Sequence, residues 1–112
     1  MTKHKIVLVE FPFDDLSATK VRPAVCLTEP IGPHKHVVLA FITSHVGSTA
    51  LPTDVVISNT DSDFSVTGLR VSSTIQLHRL TTLTTSKIQR ELGQLSSKMH
   101  LHVRSCILQL FS

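Results

Sequence analysis

The sequence predicts a mainly β protein: a small antiparallel β-barrel, or strongly curved sheet, covered by one C-terminal α-helix. Two observations lead to this prediction. Short apolar segments rich in β-branched residues recur between residues 6 and 94, and turn-forming residues separate them. After residue 96 the apolar spacing changes to that of a helix. Neither a repeat nor a linker divides the 112 residues, so we expect one domain spanning residues 1–112.

Six segments are predicted to be strands. The segment 37–43 is apolar on both faces and is therefore expected in the middle of the sheet. Ile75 and Leu77 alternate with polar neighbours, which is typical of a strand with one buried face. Pro23 has no backbone donor, so we expect it at the start or the edge of its strand. The segments are residues 6–11, 23–28, 37–43, 54–57 and 73–83, with a short one around Gly93.

The segment that follows has the period of an amphipathic helix. Its apolar residues recur at intervals of three and four, so they share one face, and this face is expected to pack on the sheet. Ser96 or Ser97 is the predicted N-cap, because a serine hydroxyl can accept a hydrogen bond from the first turn. The apolar positions are Met99, Val103, Cys106, Ile107 and Leu110.

The composition favours a folded, soluble protein. Hydrophobic residues make up 41% of the chain and charged residues 17%, a balance that argues against disorder. The net charge of +3 permits a polyanionic partner without indicating one. Cys26 and Cys106 lie in separate apolar segments, which indicates buried thiols. Glu10 and Pro12 interrupt the first apolar segment, so we expect no signal peptide, no membrane association and a cytoplasmic location.

The polar residues do not form a metal-ligand motif, and we expect neither a metal nor a cofactor. His34 and His36 could share a face of an extended segment, but no third ligand accompanies them. Asp14 and Asp15 are adjacent acids in the polar loop between the first two strands. Such residues commonly hydrogen-bond nearby backbone amides, and this reading is stronger than a catalytic carboxylate pair.

Two strand ends carry side chains suited to binding a phosphate. Arg22 directly precedes Pro23, which restrains its backbone toward an extended conformation. Thr43 and Ser44 stand where the most apolar strand ends. If the two strands pair, a charged guanidinium and two hydroxyls meet at one edge of the sheet. From spacing alone, the alternative is an arginine that is simply solvated at the surface.

Several motifs follow one another along nearly the whole chain: IVLVEFPF, DLSATKVRPAVCL, FITS, DVVI, TGLRVSSTIQLHRLTTL and SKIQRELGQLS, and then a helix. This series resembles the MazF/PemK family of toxins from toxin–antitoxin systems. The resemblance implies an SH3-like barrel of the MazF, PemK and CcdB type and a homodimer. It also implies sequence-specific, metal-independent cleavage of single-stranded RNA, and a cognate antitoxin whose disordered tail covers the RNA groove.

The resemblance implies that Arg22 and Thr43 are catalytic, as the Arg of R-P-A and the Thr of I-T-S. Metal-free cleavage can use the neighbouring 2'-hydroxyl as nucleophile, which leaves a 2',3'-cyclic phosphate and a 5'-hydroxyl. The protein must then orient the phosphate and stabilise its extra negative charge. The residues expected to bind RNA are Phe13, Lys20, Ser44, Ser73 and His78, with Phe13 as the base-stacking candidate.

Two departures from the family pattern leave other functions open. The first strand begins with His-Lys instead of Gly-Asp, and Ser73 stands near the position where some members carry an acid. The general base is therefore unassigned among His78, Asp15 and Ser73. One alternative is a toxin of the same fold that inhibits DNA gyrase by binding and does not need the arginine and threonine pair. Another is a catalytically inactive barrel that acts as a binding protein.

Overall fold

The structure, a computed structural model, describes residues 1–12, 19–47 and 50–112. Within these residues, two short 3₁₀-helices (Phe64–Thr67 and Thr85–Lys87) and one α-helix, α1 (Ser97–Leu110), accompany the strands. The predicted fold class, mainly β with one C-terminal helix, is confirmed. The strands are β1 (Lys5–Pro12), β2 (Thr19–Cys26), β3 (His36–Thr43), β4 (Asp54–Ile57), β5 (Ser73–Thr84) and β6 (Arg90–Gln94).

The strands form one curled antiparallel sheet in the order β4-β5-β3-β2-β1-β6. The segment predicted to be central, β3, lies between β5 and β2, and most of its side chains are buried. Its apolar residues on both faces require cover on both sides, which an inner position in a curled sheet provides. β5 is the longest strand and pairs with both β3 and β4.

Apolar side chains are buried on both faces of the sheet. Successive residues of a strand point to opposite faces, so consecutive residues of β3 belong to different clusters. On one face, here called the helix-covered face, α1 packs with Met99, Val103 and Cys106, as its apolar period predicts. The opposite face buries a second cluster, which consists of Val7, Val9, Ala24, Cys26, Val37, Leu39 and Phe41.

Both cysteines are buried free thiols, as the sequence predicts. Burial raises the pKa of the Cys26 thiol to about 11, so this thiol stays protonated at neutral pH.

The N-cap of α1 is Ser96, whose hydroxyl accepts from the Met99 N–H at 3.1 Å. Within the described residues, no helix has both the length and the apolar character needed to span a membrane.

β2 begins at Thr19, so of the two positions expected for Pro23 the start of the strand is wrong and the edge agrees with the structure. Pro23 lies inside β2, where it pairs with Leu8 of β1. Among the described residues, the pairing of β2 with β3 covers only Ala24 to Cys26. The half of β2 that carries Pro23 is therefore a local edge on its β3 side, where a residue without a backbone donor is tolerated.

Gly68 lies where the first 3₁₀-helix packs closely against β6. Its φ is 72°, in the left-handed region that favours glycine. A Cβ at this position would also collide with the backbone carbonyl of Leu92. A backbone group cannot rotate away as a side chain can, so this contact requires glycine for steric as well as conformational reasons.

We expect Gly68→Ala to destabilise the protein far more than Gly32→Ala. Gly32 has nearly the same φ, 74°, but an added Cβ there meets nothing within 4 Å. The control should therefore cost only the left-handed strain of about 1–2 kcal/mol. Gly68→Ala should add an overpacking cost of roughly 1–3 kcal/mol or more. Urea unfolding measures both free energies, and equal losses would contradict the close backbone packing.

Candidate functional site

Arg22 and Thr43 stand just beyond the last pair of the β2–β3 ladder, one on each strand. The last pair of the ladder between these strands is Ala24 with Phe41. Arg22 precedes Ala24 by two residues on β2, and Thr43 follows Phe41 by two residues on β3. In an antiparallel pair these two positions lie at the same level, and alternation puts both side chains on the same face. The register thus brings the two sequence candidates to one edge.

The backbone of Arg22 is held by β1. Arg22 lies inside β2 and pairs with Val9, so the ladder to β1 fixes its position more directly than Pro23 does. Its side chain is exposed, and Nη1 donates a long hydrogen bond, 3.4 Å, to the Val21 carbonyl. A guanidinium carries five N–H donors. Most of them are therefore available to a ligand, as far as the described residues show.

Thr43 presents a hydroxyl whose orientation is fixed. Its Oγ1 accepts a hydrogen bond from the His45 N–H at 3.1 Å. This bond uses a lone pair of the oxygen, so the hydroxyl proton can still be donated to a ligand. Across β5, Thr74 pairs with Thr43 and adds a second hydroxyl on the same face, at a position that is 5% exposed. Arg22, Thr43 and Thr74 are called the rim below.

Two other sequence candidates lie close to the rim. Lys20 is exposed and stands two residues before Arg22 on β2, so alternation places both cations on the same face. Ser44 is exposed in the bend directly after β3. The rim and these two neighbours together combine two cations with hydroxyl groups. A phosphate oxygen is a suitable ligand for such a donor set.

The structure does not bring Ser73 to the rim. Ser73 is 3% exposed, and its hydroxyl donates to the Val71 carbonyl at 2.9 Å. It pairs with Ile57, a residue of the cluster on the helix-covered face, so its side chain points away from Thr43. The neighbouring Thr74 occupies the position that faces the rim. Phe13, Asp14 and Asp15 lie outside the described residues.

His78 lies further along β5, four residues beyond Thr74, which is roughly 13 Å of extended strand. Its Nδ1 is 4.0 Å from Oδ1 of Asp54. The other Asp54 oxygen, Oδ2, accepts from the Leu51 N–H at 3.0 Å, while Oδ1 is buried and has no hydrogen-bond partner among the described residues. His78 is thus associated with the start of β4 instead of joining Arg22 and Thr43.

A group of interacting side chains next to the rim was not predicted from the sequence. The Arg79 guanidinium lies over the Phe41 ring, with Cζ 4.4 Å from the ring centroid. Its Nη1 also donates to Oε1 of Gln76 at 3.4 Å. The β3–β5 ladder passes from Ala40–Leu80 to Phe41–Gln76, so residues 77–79 form an irregularity that turns Arg79 to the Phe41 face. If β5 alternated strictly, Arg79 would lie on the same buried face as Leu77. A cation at a position expected to be buried was the signal in the sequence that the strand is irregular there.

Within the part of the chain that the structure describes, no group of three or more His, Cys, Asp or Glu side chains could hold a metal ion. The rim itself consists of cationic and hydroxyl donors, which are poor ligands for a divalent cation. Its donor set fits an anion.

A second surface lies between α1, the N-terminal residues and the ends of β2 and β3. It is a groove of about 690 Å³, and its walls include His4, His100, Leu101 and Phe111. Leu101 is 60% exposed and Phe111 is 71% exposed. The rings of His4 and His100 stack with their centroids 4.4 Å apart. Burial, together with the neighbouring charges of His100 and Lys3, lowers the pKa of His4.

We expect this histidine to make the protein less stable in mild acid. The pKa of His4 in the native state lies below its ordinary value of 6.5, so the unfolded chain takes up the proton first as the pH falls. The contribution is fully present above pH 6.5 and is lost as the pH falls below that value. His4→Asn, which tolerates the positive φ of this position, should flatten the dependence of unfolding free energy on pH.

Urea unfolding at several pH values between about 7.5 and 5 measures this slope. His34→Asn is the matched control, because His34 is an exposed turn residue away from the stacked pair. The control should keep the wild-type slope. A wild-type slope in His4→Asn would contradict the assignment.

Comparisons with known proteins support the fold and identify a family. A family model described as PemK-like, MazF-like toxin of type II toxin–antitoxin system matches residues 2–111. The Mycobacterium tuberculosis toxin MazF-mt6 is similar with a TM-score of 0.71 and 25% identity, over 96% of this chain and 95% of that one. A search of curated proteins gave no significant match.

Two further solved structures are similar at lower identity and support the fold alone. One is an endoribonuclease from Mycobacterial species in complex with its cognate antitoxin, with a TM-score of 0.71 and 11% identity, over 99% of this chain and 94% of that one. The other is a Mycobacterium tuberculosis toxin, with a TM-score of 0.68 and 23% identity, over 93% of this chain and 97% of that one.

Proposed function

The chain belongs to the family of PemK-like, MazF-like toxins of type II toxin–antitoxin systems, and on this premise we propose that it is a sequence-specific endoribonuclease. The substrate is single-stranded RNA, and no metal ion is needed. The observation that carries the proposal is the register of β2 and β3, which puts Arg22 and Thr43 on one face at one level. Membership of the MazF-like toxin family adds support.

In the proposed reaction the 2'-hydroxyl of one nucleotide attacks the adjacent phosphorus. The bond between this oxygen and phosphorus forms as the bond to the 5' oxygen of the next nucleotide breaks. The 2'-hydroxyl loses its proton and the departing oxygen gains one. The products are a 2',3'-cyclic phosphate and a 5'-hydroxyl, because both oxygens of the cyclic product come from the same ribose.

The rim stabilises the charge that develops on the non-bridging oxygens. Arg22 offers parallel N–H donors on a permanently charged group, a geometry that matches two phosphate oxygens. Thr43 offers a hydroxyl proton whose direction is set by the hydrogen bond from His45. Donors that are fixed before the reaction act most strongly on charge that exists mainly in the transition state. Folding therefore supplies the orientation that catalysis needs.

Neighbouring side chains extend this site into an RNA groove. Lys20 continues the positive charge of Arg22 along β2, which suits the path of a phosphodiester backbone. Ser44 and Thr74 add hydroxyls beside Thr43, and Thr74 takes the place that the sequence suggested for Ser73. Contacts of Phe13 and His78 with RNA stay predictions.

We expect Arg22→Ala and Thr43→Val each to reduce RNA cleavage by about 10²–10³-fold or more, because each removes an oriented donor. Thr43→Ser keeps the hydroxyl and should retain most of the activity. Arg90→Ala, on the exposed surface of β6, is the matched control for loss of a cation. The measurement is cleavage of a long unstructured RNA in EDTA, with the new 5' ends mapped.

Unchanged cleavage sites and rates in Arg22→Ala would contradict this assignment of the site. Intact RNA with the wild-type protein, together with inhibited DNA gyrase, would instead support the binding-only toxin. Intact RNA and active gyrase would support an inactive barrel.

We also propose that a cognate antitoxin covers the RNA groove with an acidic segment. The exposed cations Lys20 and Arg22 would attract such a segment as they attract RNA, so the two ligands would exclude each other. The family model describes toxins of type II toxin–antitoxin systems, which supports a partner of this kind.

The second surface is proposed to be the homodimer interface that the family resemblance implies. Leu101 and Leu108 are seven residues apart on α1 and therefore share a face, and they are 60% and 63% exposed. Phe111 is exposed close to them and lines the groove with Leu101. Clustered exposed apolar side chains of this size are typical of protein interfaces. A second copy of the chain is the proposed occupant.

We expect Leu101→Glu to convert the dimer to a monomer, because a carboxylate would be buried without a partner at the interface. Leu101 is exposed in the single chain, so the fold itself should survive. Val71→Glu, at a loop residue that is 52% exposed, is the matched control and should leave the mass unchanged. Sedimentation velocity measures the masses. A wild-type protein that sediments as a monomer at micromolar concentration would contradict the proposal.

A further inference from the structure

We propose that the stacked rings of His4 and His100 make the homodimer sensitive to pH, so that mild acid separates the two copies. This inference rests on the homodimer interface proposed above and adds a means of regulation to it. It starts from the groove beside α1, whose walls contain both rings together with Leu101 and Phe111.

The fold itself brings the two rings together. The His4 N–H donates to the Cys26 carbonyl at 2.8 Å, and the His4 carbonyl accepts from the Leu95 N–H at 2.9 Å. His100 lies near the start of α1, where its N–H donates to the Ser96 carbonyl at 3.0 Å. The ring centroids are 4.4 Å apart, and the ring planes differ by 21°. Two imidazoles held this close repel each other strongly when both are charged.

The surroundings of the pair are already positively charged. Lys3 and Arg104 line the same groove, and Arg104 follows His100 by one turn of α1. Glu29 is an acid near His4, and it raises the pKa of that ring. Burial, His100 and Lys3 act in the opposite direction and outweigh Glu29, so the pKa of His4 is lowered. The charged and titratable residues around His4, among those described, are Lys3, Cys26, Glu29, His100 and Arg104.

A second copy on this surface would strengthen the preference for neutral rings. Leu101 follows His100 directly, and both Leu101 and Phe111 are exposed in the single chain. His4 and His100 are half-buried, so a partner that covers Leu101 and Phe111 would remove water that the rings still contact. Desolvation disfavours the charged form of an imidazole. The dimer would therefore bind protons more weakly than two separate chains do.

The direction of the pH dependence follows from this difference. The pKa of His4 already lies below its ordinary value of 6.5 in the single chain, and further burial would lower it again. The dimer is therefore fully favoured above that value, and its advantage is lost as the pH falls below it. Each dimer contains the pair twice, so the protons taken up on dissociation count twice.

Sedimentation equilibrium at several protein concentrations measures the dissociation constant between about pH 7.5 and 5.5, at constant ionic strength because salt screens the charges. We expect the constant of the wild type to rise by about tenfold or more over this range, since one unit of pKa difference in one group is tenfold. His4→Asn and His100→Gln each remove one ring of the pair and should show a much smaller rise. His34→Asn, in an exposed turn, is the matched control and should rise as the wild type does.

Dissociation must be separated from acid unfolding. The far-UV circular dichroism of the wild type is recorded at each pH, and we expect the dissociated chains to keep the spectrum of the dimer. Dissociation that coincides with loss of this spectrum would overturn the proposal. Leu101→Glu provides the reference spectrum of a single chain.

The homodimer and its pH dependence fail in distinguishable ways. If the wild type is a monomer at pH 7.5 and micromolar concentration, the proposed interface fails and this inference fails with it. If the wild type is a dimer whose dissociation constant changes no more with pH than that of His4→Asn and His100→Gln, only the inference about the stacked pair fails. Neither result changes the assignment of the rim, which the cleavage experiment tests.

Discussion

The short ladder between β2 and β3 is the constraint on which the proposed site depends. Only three residue pairs join these strands in the described part of the chain, and beyond Ala24 and Phe41 the strands separate. On its other side, β2 stays paired with β1 as far as Thr19. Arg22 is therefore anchored through β1, and among the described residues it has no strand partner on its β3 side. A phosphate bound in the proposed site would meet donors on rigid strands.

The two-sided burial of β3 provides the rigidity. Its residues between Val37 and Ile42 contribute to clusters on both faces of the sheet, so the strand cannot shift without disturbing both. Thr43 is the last residue of this strand, so the same packing fixes the position of its backbone. α1 covers one face, which leaves the opposite face to carry Arg22, Thr43 and the neighbouring Arg79. Folding and the site are thus linked through one inner strand.

The sequence predicted features that depend on local pattern. The apolar segments, the period of α1, the buried thiols and the serine N-cap follow from residue type and spacing within about a dozen positions, and the structure confirms them. The pairing of Arg22 with Thr43 depends on the register between distant strands. Motif order suggested that these residues act together, but spacing alone could not place them opposite each other.

The features that could not be placed from the sequence depend on strand pairing, which a simple period does not contain. β2 extends N-terminally of Pro23 to Thr19, because pairing with β1 alone holds this part of the strand. Ser73 and Thr74 lie on opposite faces of β5, and only the pairing with β3 shows that Thr74 is the one beside Thr43. Arg79 changes face at the irregularity of residues 77–79, which the alternating period cannot show. Long-range register decided each of these outcomes.

A crystal structure of the protein with a single-stranded oligonucleotide that carries a 2'-deoxyribose at the cleaved nucleotide would test the proposed site. We expect one phosphate to lie between β2 and β3, with its oxygens within about 3 Å of both the Arg22 guanidinium and the Thr43 hydroxyl. A scissile phosphate bound elsewhere, or one that contacts neither residue, would contradict it.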